Sequence, residues 1–326
     1  MKTTVALAWI LAAGSACAQE PAWGRLKQQG EELAQRGRYA AAAEQFEAAL
    51  HEAQRTGETN FRVAACLNDL AVMYKEMGRY VEAERSFKRA LHIWERIGSG
   101  EKPESARTLN NLAELHRKLG RYRKAEGLYG HVLAILRQAY GPNHPDVANA
   151  LNNLAALYLT EQRFPEAEDL FRQALAIWEQ APAPDHQRAG ACMNNLATVL
   201  AMTGRQAEAD SMLDGAIAIL EESIGPNHPA LTRALANRAS LYINAGRYAE
   251  AEPVLDRALS IAQNSLGPDH PQVGVILRVY AALRLKTHHK SEAKHLAQRA
   301  DAILKNSARE NSMGYTIDAR SLLAGK

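Results

Sequence analysis

Leu151-Asn152-Asn153-Leu154-Ala155 does not stand alone in this chain. The same pentapeptide returns as Leu109-Asn110-Asn111-Leu112-Ala113 and as Met193-Asn194-Asn195-Leu196-Ala197. Weaker copies are Leu67-Asn68-Asp69-Leu70-Ala71, Leu235-Ala236-Asn237-Arg238-Ala239 and Leu277-Arg278-Val279-Tyr280-Ala281. Their first residues stand at 67, 109, 151, 193, 235 and 277, so every step is 42 residues. A degenerate unit opens the series near Leu26, with Gly30 in the small-residue slot and Gly37-Arg38-Tyr39 after it. A fixed period of this length marks an array of one supersecondary unit rather than a globular fold.

Each unit reads as two helices. Leu151, Leu154, Ala155 and Tyr158 fall at i, i+3, i+4 and i+7, a single apolar stripe. A Gly-Arg-Tyr turn follows, as in Gly78-Arg79-Tyr80, Gly120-Arg121-Tyr122 and Gly246-Arg247-Tyr248. The second helix carries Ala167, Phe171, Ala174 and Leu175 on one face. Small Ala residues let paired helices approach, and the aromatic fills the space between them. Neither helix can bury its stripe alone, so the core comes from stacking on neighbouring units. Between units lies Gly141-Pro142-Asn143-His144-Pro145, repeated as Gly225-Pro226-Asn227-His228-Pro229 and Gly267-Pro268-Asp269-His270-Pro271. There a left-handed Gly should end one helix, and the second Pro should open the next at its first turn.

The pentapeptide, the Gly-Arg-Tyr-x-Glu-Ala-Glu region and the Gly-Pro-Asn-His-Pro linker together resemble the tetratricopeptide repeat. More narrowly, they resemble the 42-residue variety of kinesin light chains and their bacterial relatives, over about residues 64 to 305. The expected fold is therefore all-α, a right-handed superhelical solenoid of about seven helix pairs occupying residues 19–305. Residues 306–326 leave the pattern and should form a cap or a tail. Two features differ from a motor subunit: no heptad-rich segment joins the array to a motor, and the N-terminus reads as an export signal.

That signal consists of Lys2, an apolar run from Val5 to Ala13, and Ala16-Cys17-Ala18 before Gln19. It predicts a signal peptide at 1–18 cleaved after Ala18, and a periplasmic or secreted protein. Lipidation at Cys17 is the rival reading, weakened by Gly14 where such a motif prefers Leu. Only Cys66 and Cys192 would remain, three units apart and too distant for a disulfide. The formal charge of +3 gives no reason to invoke nucleic acid or an anionic membrane, and no later stretch is long and apolar enough to span a bilayer.

The candidate binding residues are the amides. Asn152 and Asn153 lie about 100° and 200° around the helix from Leu151, off the packing stripe. If first helices line the inner wall of the solenoid, nine side chains face its groove: Asn68, Asp69, Asn110, Asn111, Asn152, Asn153, Asn194, Asn195 and Asn237. Each costs about 0.6 kcal/mol against Ala in a helix, roughly 5 kcal/mol together, so some interaction must offset them. An amide offers a donor and an acceptor, matching the backbone of an extended peptide, and the resemblance implies that groove Asn residues grip a ligand backbone. The other reading joins one Asn of each pair to a neighbouring unit. Arg233, Arg278 and Lys286, with Arg238 and Arg284, suggest a basic C-terminal end of the groove for an acidic stretch of ligand.

His144, His186, His228 and His270 also step by 42 residues. A layer of two helix diameters, around 20 Å, would separate them, far beyond shared metal ligation, so they read as linker residues and no metal is expected. His288-His289 reads as surface. No phosphate loop and no His-Glu-x-x-His motif occurs, and the repeats occupy nearly the whole chain. A non-catalytic scaffold without cofactors is expected, binding a peptide or protein segment in its groove. The alternative is a structural protein that self-assembles through convex faces or open ends.

Overall fold

The structure is a computed structural model that describes residues 22–55, 57, 59–181 and 185–312. Among these residues fourteen helices form seven consecutive pairs and no strand occurs. The pairs are α1 (Ala22–Gln35) with α2 (Tyr39–Gln54), α3 (Phe61–Glu76) with α4 (Tyr80–Arg96), and α5 (Pro103–Lys118) with α6 (Tyr122–Tyr140). They continue as α7 (Pro145–Thr160) with α8 (Phe164–Gln180), α9 (His186–Met202) with α10 (Gln206–Ile224), α11 (Leu231–Asn244) with α12 (Tyr248–Leu266), and α13 (Pro271–Lys286) with α14 (Lys290–Ser312). The chain is an α-solenoid of the expected seven units. The expected signal peptide, with Cys17 and Ala18, lies outside the described residues. So does the end of the 306–326 stretch, although α14 runs past 305 to Ser312.

The turn inside each unit is a six-to-one closure. Arg79 N–H donates to Tyr74 O at 2.8 Å around Gly78, whose φ is 76°, and left-handed Gly satisfies the last carbonyls of the helix. Two units lack that Gly, and Gln162 (φ 60°) and His288 (φ 66°) adopt the same backbone. The linker Gly does something other than the expected left-handed cap. Gly141 has φ 84° and ψ 168°, a region open essentially to Gly alone.

The linker His then caps the following helix. Nδ1 of His144, His228 and His270 accepts the backbone N–H of Asp146, Ala230 and Gln272, each at 3.2 Å. His186 does not share this role: it is the first residue of α9, and Asp185 caps instead, accepting from Arg188 N–H at 3.0 Å. Pro145 and Pro271 open their helices as expected, whereas Pro229 precedes α11 and its carbonyl accepts the Thr232 hydroxyl at 2.6 Å.

Inside a unit the small residue and the aromatic meet as predicted. A Cβ added to Gly30 would lie 2.8 Å from the Phe46 ring. At the equivalent positions Ala71, Ala113 and Ala155 are fully buried, as are Phe87 and Phe171. Cys66 and Cys192 are also fully buried and unbonded. Burial pushes the Cys66 thiol up to about 12 and raises that of Cys192 as well, which makes both unreactive.

The Gly-Arg-Tyr-x-Glu-Ala-Glu region links the units. Arg163 stacks over Tyr158, its guanidinium 3.9 Å from the ring centre; its Nε donates to Glu166 at 3.0 Å and its Nη1 to Glu126 of the preceding unit at 3.1 Å. The inter-unit bond recurs as Arg121 to Glu84 (2.8 Å), Arg205 to Glu168 (2.6 Å) and Arg247 to Asp210 (3.0 Å). In the last unit His289 replaces the Arg. Arg284, which stands where three other units have Tyr74, Tyr158 and Tyr242, donates to both Glu252 and Glu292 in its stead.

Consecutive first helices touch directly: α3 with α5, α5 with α7, α7 with α9, α9 with α11 and α11 with α13. Second helices have no mutual contact of that extent. The array therefore curves with its first helices inside, and their N-terminal halves wall a concave groove.

Candidate functional site

The groove amides are largely joined to one another. Asn111 Nδ2 donates to Asn68 Oδ1 at 3.0 Å, Asn153 to Asn110 at 2.8 Å, and Asn237 to Asn194 at 2.9 Å. Each bond runs from the second amide of one unit to the first amide of the unit before. Asn68 Nδ2 donates further to Asp69 (3.0 Å) and Asn152 Nδ2 to Asn153 (3.4 Å). Asn68 and Asn194 are only 1% and 2% exposed, so they are interior residues rather than groove surface. Asp69 is held by Arg107 at 3.0 Å and Lys27 at 3.4 Å.

One rung is missing. The bond from Asn195 to Asn152 is not made, and Asn152 Oδ1 is buried without a partner. That gap falls at the first of two cavities. The first, of about 670 Å³, lies between α5, α7 and α9; Asn110, Asn149, Asn152, Arg107 and Arg188 stand on its groove side, and Val132, Leu136 and Trp178 form its wall. Trp178 is buried and its indole N–H has no partner. By contrast, Trp94 donates to Thr108 Oγ1 at 3.3 Å, and two periods further on that threonine's place is taken by Cys192. The second cavity, of about 340 Å³, lies between α9, α11 and α13 and holds Asn194, Leu220, Arg233, His270 and Gln272. Ala191 borders both.

The expected basic end of the groove is smaller than its sequence suggested. Arg238 is tied to Asp210 at 3.4 Å and Asp214 at 2.5 Å, and Arg278 to Asp301 at 2.7 Å. With Arg284 in the inter-unit ladder, these charges are matched by the adjoining second helices. Lys286 is exposed at the end of α13, outside both cavities. Arg233 alone of the five lines a cavity. It is solvent-accessible, yet the surrounding groove walls remove enough water to push its pKa below the ordinary value. The cavities themselves were not foreseen. Their signal in the sequence was the run of exchanges at one position, Trp94, Leu136, Trp178 and Leu220, where the smaller residues leave space.

The profile of the tetratricopeptide repeat matches residues 26–96, 62–138, 104–180, 146–222 and 231–306. The chain belongs to the tetratricopeptide repeat family. Among curated proteins no sequence matches it. Solved structures share the fold of this tetratricopeptide repeat array. The nearly identical TPR-like repeats of a putative kinesin light chain from Podosopora anserina have a TM-score of 0.52 at 24% identity, over 64% of this chain and 98% of that one. A Rap protein complexed with Competence and Sporulation Factor has a TM-score of 0.68 at 18% identity, over 88% and 76%. The Rap conjugation gene regulator of the plasmid pLS20, in complex with a Phr peptide, has a TM-score of 0.64 at 14% identity, over 91% and 77%. No helix among the described residues is long and apolar enough to cross a membrane.

Proposed function

We propose that this protein is an exported, non-catalytic scaffold that holds a peptide, or an extended segment of another protein, along its concave groove. The observation that carries the reading is the amide ladder interrupted at the first of two groove cavities. Asn110, whose Oδ1 is taken by Asn153, keeps its Nδ2 for a ligand, and Asn152 lines the same cavity with no rung to α9. Unpaired amide donors and acceptors on a curved wall suit the alternating N–H and C=O groups of an extended backbone. A solved neighbour that carries a peptide in a similar solenoid supports the same use.

The test is selection of peptides from a random display library on the immobilised array, followed by Ala191→Arg. Ala191 borders both cavities and is half-buried, so an Arg there fills the groove while projecting from it. Selected peptides should lose binding to this variant while its melting temperature stays unchanged. Undiminished binding would place the site elsewhere, and a mass that grows with concentration in light scattering, with no peptide selected, would favour self-assembly. For export, the mature chain from a bacterial host should begin at Gln19 or its cyclised form. A lipidated Cys17 would place the array on a membrane surface instead.

A further inference from the structure

The two cavities are one site occurring twice. Asn110, Leu136 and Ala150 of the first correspond, two repeat periods on, to Asn194, Leu220 and Ala234 of the second. What differs is charge. In the first cavity Arg107 is matched by Asp69 at 3.0 Å and Arg188 by Asp185 at 3.1 Å. Asp146 accepts from Asn149 Nδ2 at 3.3 Å, and behind these polar groups lies the apolar wall of Val132, Leu136 and Trp178. In the second cavity Asn149 is replaced by Arg233, Asp146 by Ala230 and Arg107 by Ala191. The cation is new, and both charges that accompanied its position in the first cavity have gone.

Resting on the peptide-groove reading, we infer that the array recognises a ligand segment by two anchors: a bulky apolar side chain seated in the first cavity and a carboxylate held by Arg233 in the second. A guanidinium in a partly dried groove binds a carboxylate through paired, charge-assisted hydrogen bonds. In the first cavity both arginines already have acidic partners, and the apolar floor gains by being covered.

The spacing of the anchors follows from the packing. Asn153 bonds Asn110 across α5 and α7, Asn237 bonds Asn194 across α9 and α11, and α7 touches α9 directly, so neighbouring first helices lie at the ordinary packed separation of about 8–10 Å. The inner wall is thus more closely stepped than the 20 Å layer expected from two helix diameters. Two steps are about 16–20 Å, and an extended chain covers that in about five or six residues.

Fluorescent peptides carrying one Phe and one Glu, separated by two, five or ten Gly/Ser residues and made in both orders, test this in polarisation titrations. The five-residue spacer in one order should bind best. Arg233→Gln should weaken that peptide about tenfold and leave its Glu→Gln counterpart unchanged, with Arg233→Lys partly restoring affinity. Affinity independent of spacing, or an equal effect of Arg233→Gln on both peptides, would overturn the two-anchor inference. If Ala191→Arg abolishes binding in the same series, the groove reading survives that failure. If Ala191→Arg has no effect, both fall.

Discussion

Asn153 and Asn195 occupy the same place in successive units, yet they differ in what they touch. Asn153 ties its unit to the one before through Asn110, whereas the bond from Asn195 to Asn152 is not made. Asn153→Ala should therefore lose the rung to Asn110, worth about 0.5–1.5 kcal/mol, together with the long 3.4 Å bond from Asn152, partly offset by about 0.6 kcal/mol of helix propensity. Asn195→Ala keeps only the gain and should stabilise the array by about 0.6 kcal/mol. Urea denaturation of the pair measures the difference, and equal effects would mean that Asn153 contributes nothing through its rung. The off-stripe position of these amides was legible from helical periodicity alone. Their partners were not, because the sequence gives the angle of a residue around its own helix but not the distance to the next unit.

The element that repeats most faithfully is the turn between paired helices. Gln162 holds the left-handed conformation that Gly holds at 78, 120, 204 and 246, and a residue with a Cβ is strained there by about 1–2 kcal/mol. Gln162→Gly removes that strain, against a smaller entropic cost in the unfolded chain, and should raise stability by about 0.5–1 kcal/mol in chemical denaturation. A loss would mean that the Gln side chain contributes a contact worth more than the strain. Helix pairs, turns and linkers could all be read from the chain, since Gly, Pro and apolar spacing act within a few residues. The electrostatic ladder could be read only in part. The Glu-Ala-Glu motif announces acidic residues, but only the fold shows that the second acid serves the following unit. Nothing in the sequence showed that Arg284 would stand in for a missing turn arginine.

For the whole molecule, stability is a sum of like interfaces. Ala155→Phe should overpack the pair α7–α8 by about 1–3 kcal/mol, with hydrogen exchange rising in that unit and its neighbours and little beyond; a uniform rise would contradict local coupling. Acid should loosen the interfaces that Glu126 and Glu252 bridge. The Tyr158 hydroxyl and Arg163 hold Glu126 of the preceding unit below its ordinary 4.5, and Arg284 does so for Glu252. The unfolded chain then takes up protons first as pH falls, so this stabilisation is complete above about pH 4.5 and lost as pH drops through the lower folded values. Melting temperatures between pH 6 and 3 should show that fall, less steeply in Arg163→Gln; an identical slope would remove the Arg163–Glu126 bond from the explanation. Because the amide rungs and the turn Arg–acid bonds join equivalent positions wherever they recur, the array can change length without being rewired. Excising residues 151–192 would bring Asn195 to Asn110 and Arg205 to Glu126, one period closer than before. Such a chain should still fold, with its two anchors moved nearer together by one helix spacing. The number of units would then act as a ruler, and gain or loss of a repeat would retune which ligands fit.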